Sequence, residues 1–157
     1  MANALLRLYE SIVPAAWVDY NRHMNDASYA IAFSHTTDRL MDHIGLDASY
    51  REREQLTIYT LENHICYLLE ANEGDAVYAT TQLLGHDSKR LRVFHTLHRA
   101  GEEQPLATSE QMLLHVNRTG PKAAPFAAEV AARVAAVARQ QAGLALPQQA
   151  GQAIRTL

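Results

Sequence analysis

Asp19, His23 and Asn25 fall within the run Trp17-Val18-Asp19-Tyr20-Asn21-Arg22-His23-Met24-Asn25-Asp26, followed closely by Tyr29. A carboxylate, an imidazole and an amide this close together can activate water, orient it and hold a reacting carbonyl. Asp19 is the first candidate. Beside an electrophilic carbonyl, its carboxylate either takes a proton from water or attacks directly to give a mixed anhydride. Its plainer role is to tie down a turn. His23 suits water orientation or donation to a leaving group as well as it suits a turn-holding hydrogen bond. Asn25, and Asn21 in the same way, reads first as a structural residue. Asn25 or Asp26 is placed to cap the helix that follows.

That helix is predicted over about 27–44. Ala30, Phe33, Thr37, Leu40 and Ile44 recur at spacings of 3, 4, 3 and 4, and Gly45 follows the last of them. The polar cluster therefore sits at a helix N-terminus, where unpaired N–H groups and the helix dipole favour negative charge. A carbonyl becoming an oxyanion is stabilised there, with the N–H groups of Met24 to Asp26 as the donors.

The rest of the chain has to position that loop. With 157 residues, 48% of them apolar, it has enough length for one core. A net charge of −3 gives no general attraction to nucleic acid or an anionic membrane. Apolar runs are too short to span a bilayer and residues 1–16 lack a leader-like layout, so a cytoplasmic protein is expected. Cys66 stands alone, which excludes an internal disulfide.

Residues 5–18 read as a first strand interrupted near Pro14, and Asp47 to Glu54 as a turn region. A strand over 56–69 places Tyr59, Leu61, Ile65, Tyr67 and Leu69 on one face, interrupted by Asn63, with Glu62, His64 and Cys66 on the other. Further strands at 76–85, 90–99 and 106–117 are separated by polar turns, which predicts an antiparallel sheet with the helix on its concave face. Residues 123–157 are set apart from a 1–122 domain. They hold a last helix opening at Pro125, with Phe126, Val130, Val134 and Val137 as its apolar stripe. This helix is expected to cover a surface or a partner, and the tail past Gly143 to be mobile unless held.

Spacing argues against a metal. His95 and His98 on one strand point to opposite faces, and His35 and His43 are two helical turns apart.

Asp19, His23, Asn25 and Tyr29 at this spacing resemble the motif of hotdog-fold acyl-CoA thioesterases, the group that includes 4-hydroxybenzoyl-CoA thioesterase. The D-Y-N-R-H-M-N-D string is also similar to the D-x-N-x-H-V-N-N segment of plant acyl-carrier thioesterases. Ile65-Cys66-Tyr67, the Gly74-Asp75 turn and the strand order extend the resemblance to about residues 5–120, and the H-F-P-G signature of hotdog dehydratases is missing. The resemblance implies an α+β hotdog fold, a five-stranded antiparallel sheet wrapped around a long central helix. It implies hydrolysis of an acyl-CoA with Asp19, His23 and Asn25 as the catalytic group, and no cofactor beyond the coenzyme A of the substrate. It makes Asn21 a plausible catalytic partner and lets Lys89, Arg90 and Arg92 meet the phosphates of coenzyme A. Pairing of sheet edges into a homodimer follows from it too, with the active site between subunits.

Two positions depart from the family pattern. Arg22 stands where many members have glycine, and Asp26 where the second Asn of an Asn-Asn pair is usual. Glu62 is a reserve acid. Trp17, Tyr20, Tyr29, Tyr59 and Tyr67 fill core, or form a cage for a quaternary ammonium group. The latter would fit thioesterases acting on betainyl-CoA in carnitine breakdown, which the string also resembles. Two other functions use the same scaffold: a hydratase or dehydratase, and a non-catalytic acyl-CoA binding module. Asp19 argues against the module, because binding alone needs no acid beside a thioester.

Overall fold

Five strands with alternating side chains account for most of the framework. They are β1 (Leu6–Ile12), β2 (Leu56–Tyr67), β3 (Ala76–His86), β4 (Arg90–Arg99) and β5 (Pro105–Asn117). The computed structural model describes residues 5–157; residues 1–4, part of the stretch read for a leader, lie outside the described residues. All pairings are antiparallel, in the order β1-β3-β4-β5-β2, and the short β6 (Lys122–Ala123) adds to β5. The predicted sheet is present.

The central helix α1 (Asp26–His43) packs against this sheet, with Tyr29, Ala32, Phe33, Thr36, Thr37, Leu40 and Met41 buried. Asn25 is its cap, its Oδ1 accepting from the N–H of Ser28 at 3.0 Å. The core has two ends. Near the start of α1, Val13, Met24, Tyr29, Phe33, Ala71 and Leu97 pack together. Near its end, Leu40, Ile44, Leu46, Leu91, Leu113 and Phe126 do so. The 18-residue helix α1, about 27 Å long, serves both.

Between them runs a buried polar chain. Thr81 Oγ1 lies 2.8 Å from Nδ1 of His95, and Thr37 Oγ1 lies 3.0 Å from its Nε2. Thr37 donates to Oε1 of Gln111, Gln111 to Oγ of Ser109, and Ser109 to Oδ1 of Asn63. With the Thr37 proton given to Gln111, His95 donates to Thr37 from Nε2. Burial holds the ring's pKa down to about 3, so it is neutral and Nδ1 accepts from Thr81.

Several expectations change. Residues read as a turn form a helix, α2 (Ala48–Glu54), capped by Asp47 Oδ1 on Tyr50 N–H and ended by Gln55 at φ +56. Having no buried residue, α2 carries no apolar stripe to betray it. In β2 the register slips between Thr60 and Glu62, so the two halves of the strand have opposite parity. Asn63, Ile65 and Tyr67 face α1, but Tyr59 does not, and Tyr59 and Leu61 are exposed on this edge strand. The last helix, α3 (Ala128–Gln141), opens three residues later than Pro125. Its stripe Val130, Val134 and Val137 is buried against its own chain.

The chain after α3 lies across the sheet. Gln141 accepts from the N–H of Leu83 at 2.7 Å and donates to the carbonyl of Thr81, continuing the edge of β3 beyond the end of β1. Gln82 then donates to the carbonyl of Ala145, and the N–H of Gly151 donates to Glu110 at 2.8 Å. Gln82, Phe94 and Glu110 are neighbours in register across three strands. Residues 145–151 therefore pass over Phe94, which is only 3% exposed although it points away from α1.

Candidate active site

The loop from Trp17 to Asn25 is folded by its own backbone before any side chain is considered. Val18 and Met24 form an isolated antiparallel bridge, and the N–H of Asn25 donates to the carbonyl of Trp17 at 2.9 Å. A turn over Asp19 to Arg22 is closed by the Arg22 N–H on the Asp19 carbonyl at 2.8 Å. Arg22 sits at φ +66, the left-handed region that favours glycine, which explains the glycine of the resembled family. Its side chain is exposed and turns to Glu73 at 3.6 Å.

Asp19 is exposed in the single chain. Its Oδ1 accepts from the N–H of Asn21 at 2.8 Å and, more weakly, from that of His23 at 3.4 Å. The second carboxylate oxygen has no partner among the described residues. His23 reaches the other way, with Nε2 3.3 Å from Oε2 of Glu70. Asn25 closes the group by donating from Nδ2 to the Trp17 carbonyl while its Oδ1 caps α1. Asp19, His23 and Asn25 are thus brought together on one loop. Asn21 joins them only through its backbone.

The N–H groups named as carbonyl donors are mostly engaged. Met24 donates to Ala71 and Asn25 to Trp17, which leaves Asp26 N–H as the open donor of the three. Beside it is a cavity of about 260 Å³, lined by Met24, Asp26, Tyr29, Tyr67, Leu68, Leu69 and Glu70. Asp19 borders the loop but is not in this lining. The wall is stiff: Tyr29 Oη donates to the Leu69 carbonyl and accepts from the Ala71 N–H, both at 3.2 Å. Burial, the largest effect, raises the Tyr29 pKa and keeps the phenol neutral. Behind it, Arg99 ties the 70–75 loop down through Asp75 at 2.8 Å and the Glu70 carbonyl at 2.6 Å.

Other sequence candidates lie elsewhere. Glu62 is exposed on the sheet face turned away from α1, since its neighbour Asn63 faces inward to Ser109; it is no second acid for this loop. Lys89, Arg90 and Arg92 are at the opposite end of β4 from Arg99, about 30 Å away along the strand. Arg90 pairs with Asp87 at 2.6 Å and Arg92 with Glu110 at 3.0 Å, so of the three cationic groups only the Lys89 ammonium has no carboxylate partner among the described residues. Of the five aromatics, only Tyr29 and Tyr67 meet, while Tyr20 is 94% exposed. Among the described residues, no group of three or more His, Cys, Asp and Glu is placed to hold a metal. Among the described residues, too, no helix is long and apolar enough to cross a membrane.

Glu70 is the residue the sequence did not single out. It lies in the loop after β2, which the isolated bridge between His23 and Asn72 and the backbone bonds Met24 N–H to Ala71 and Glu73 N–H to Arg22 bring to the motif.

The model of the Thioesterase-like superfamily matches residues 13–134. The chain is 49% identical to the betainyl-CoA thioesterase of Pseudomonas aeruginosa over 150 residues, 96% of this chain and 94% of that one. It is 43% identical to the L-carnitine dehydrogenase/betainyl-CoA thioesterase of Rhizobium meliloti, covering 96% of this chain but only 30% of that longer protein. A Staphylococcus aureus protein solved in complex with CoA superposes with a TM-score of 0.89 at 30% identity, covering 100% of this chain and 99% of the other. The α+β sheet wrapped on α1 is the hotdog fold, and the chain belongs to the thioesterase-like superfamily as an enzyme that hydrolyses an acyl-CoA thioester.

Proposed function

We propose that the substrate is betainyl-CoA, hydrolysed in the cytoplasm to the free acid and CoA, with Asp19, His23 and Asn25 as the catalytic group. The supporting observation is the 49% identity with the Pseudomonas aeruginosa enzyme along almost the whole chain. The cavity beside the start of α1 agrees with it. At about 260 Å³ it falls just below the usual ~300–1,000 Å³ of ligand pockets, which suits a small acyl head.

In this mechanism the thioester carbonyl lies against the first turn of α1, its oxygen toward the Asp26 N–H. The unpartnered oxygen of Asp19 takes a proton from water as the water oxygen bonds to the carbonyl carbon. The negative charge that develops on the carbonyl oxygen is held at the helix N-terminus. When the tetrahedral adduct collapses, the C–S bond breaks and the thiolate leaves as CoA. His23 orients the water, with Glu70 fixing its ring. No metal or further cofactor has a part in these steps. A panel of acyl-CoAs carrying short, branched, aromatic and trimethylammonium acyl groups, followed by thiol release, tests this reading. The trimethylammonium substrate is expected to give the highest kcat/KM. Hydrolysis of the other acyl-CoAs, with betainyl-CoA left intact, would remove it as substrate.

The proposal includes a homodimer. β2 is a twelve-residue edge strand with Tyr59 and Leu61 exposed, a long open edge of the kind proteins cover or pair. Antiparallel pairing of two β2 strands would bring the far end of one sheet beside the Asp19 end of the other. The partner subunit's Lys89 would then stand on the side from which the CoA phosphates approach, and the exposed Asp19 would be covered at the junction. Light scattering at micromolar concentration is expected to give twice the chain mass; a monomer there would contradict the pairing.

A further inference from the structure

The cavity at the start of α1 has a wall chemistry that a thioester alone does not require. Its two ionisable carboxyl residues are Asp26 and Glu70, and it has no lysine or arginine in its lining. The Asp26 carboxylate is bonded only to the Ala27 N–H at 3.0 Å and the Glu70 carboxylate only to His23 at 3.3 Å, so neither carboxylate pairs with a permanent cation among the described residues; Arg99 holds Glu70 by its backbone carbonyl. Between them stand two aromatic rings. Tyr29 and Tyr67 meet edge to face, with centroids 5.2 Å apart and planes at 87°. Tyr29 is 4% exposed and forms the base, whereas Tyr67 is 52% exposed and forms the open side. Both hydroxyls are committed to backbone partners: Tyr67 donates to the Asp26 carbonyl at 3.3 Å and Tyr29 to that of Leu69 at 3.2 Å. The rings are held in place and offer their π surfaces, not their hydroxyls.

We propose that this cavity is a cation subsite, in which Tyr67 and Tyr29 receive the trimethylammonium group of the acyl moiety and Asp26 and Glu70 supply its countercharge. The inference rests on the betainyl-CoA reading. A quaternary ammonium has no N–H, so hydrogen bonding cannot recognise it. Ring faces and unneutralised carboxylates are the two things that can. The connectivity of the substrate fits this placement. One methylene separates the ammonium nitrogen from the thioester carbonyl carbon, so a cation in this cavity puts the carbonyl at the first turn of α1 beside the Asp26 N–H. The fixed positive charge then also favours the oxyanion. Asp26 takes on a purpose as well. Asn25 is the helix cap, and the acid next to it puts a full negative charge where the resembled family has a neutral amide.

The test compares betainyl-CoA with 3,3-dimethylbutyryl-CoA, its neutral isostere in which carbon replaces nitrogen. Wild type is expected to favour the ammonium in kcat/KM. In Tyr67→Leu that preference is expected to fall about tenfold, between the scales of an exposed and a desolvated cation–π contact, and in Asp26→Asn by about the same factor from loss of the countercharge. Asp26 is exposed and Asn is accommodated at the first helical position, so Asp26→Asn reports even if Tyr67→Leu does not fold. An unchanged preference in the folded variants would place the ammonium elsewhere, leaving the thioesterase reading standing. Equal wild-type rates on both substrates would also overturn the subsite. Failure of wild type on both, with other acyl-CoAs cleaved, would instead sink the betainyl-CoA reading and the subsite with it.

Discussion

Asp19→Asn is expected to lower kcat on the preferred acyl-CoA by about 1,000-fold, the middle of the range for losing a general base, with the fold and dimer intact. The second half of that expectation comes from the turn. Asp19 Oδ1 accepts from two backbone N–H groups, those of Asn21 and His23. The amide oxygen of Asn can accept both bonds, so the loop keeps its shape while the carboxylate is lost. Asp19→Ala would remove the turn acceptor too and would confuse the two roles. Steady-state kinetics with far-ultraviolet circular dichroism on the Asn variant separates them. Near-normal turnover would make Asp19 a turn former and Glu70, beside His23, the acid to examine next. A single turnover in labelled water then tests for the covalent route. Label appearing in the Asp19 carboxylate means that a mixed anhydride formed and water opened it at the Asp19 carbonyl, and label only in the product acid means that water attacked the acyl carbonyl, in the thioester or in the anhydride.

The second large effect is on stability against pH. His95 is fully buried and held neutral with a pKa of about 3, the cause being loss of solvation, with Gln111 acting the other way. Burial shifts His98 and His115 in the same direction, with Arg7 adding to the effect at His98. In the unfolded chain these rings take a proton near pH 6.5. Below that pH the unfolded state binds protons that the native state does not. The stabilisation is therefore complete above about 6.5 and is lost as pH falls toward the native value, for His95 about 3. Each such ring costs about 1.4 kcal/mol per pH unit within its window. Urea midpoints at pH 6.0 and 5.0, above the ordinary carboxylate range, should show the loss. His95→Gln is less stable at neutral pH but should have a slope shallower by about 1.4 kcal/mol per pH unit. An unchanged slope would mean that the native ring already carries a proton.

The sequence was most informative where the cause is local. The cap at Asn25, the apolar spacing from Phe33 to Ile44 and the polar turns between strands each depend on residues a few positions apart. They came through as α1 and the hairpins. The motif was legible for the same reason, since Asp19, His23 and Asn25 share one loop closed by its own backbone bonds. Arg22 shows the limit of even local reading. A family glycine signals a positive φ, and an arginine holding that angle conceals it.

What stayed hidden depends on distant partners. The register slip at Leu61 exists only against β5, and it turned Tyr59 away from the face it shares by simple alternation with Tyr67. Glu62 lies past the slip on the face opposite to Tyr67, as alternation placed it, and Glu70 entered through a loop that pairs with His23 by way of Asn72. The strap over Phe94 needs Gln82 on one strand and Glu110 on another to hold it, and neither is near it in the chain. The sequence by itself determined the helix, the hairpins and the acid-bearing turn, because backbone bonding and side-chain period act over a few residues. Only the tertiary structure decided which rings and carboxylates share the cavity at the start of α1, because that depends on strand register and loop contacts between residues about forty positions apart.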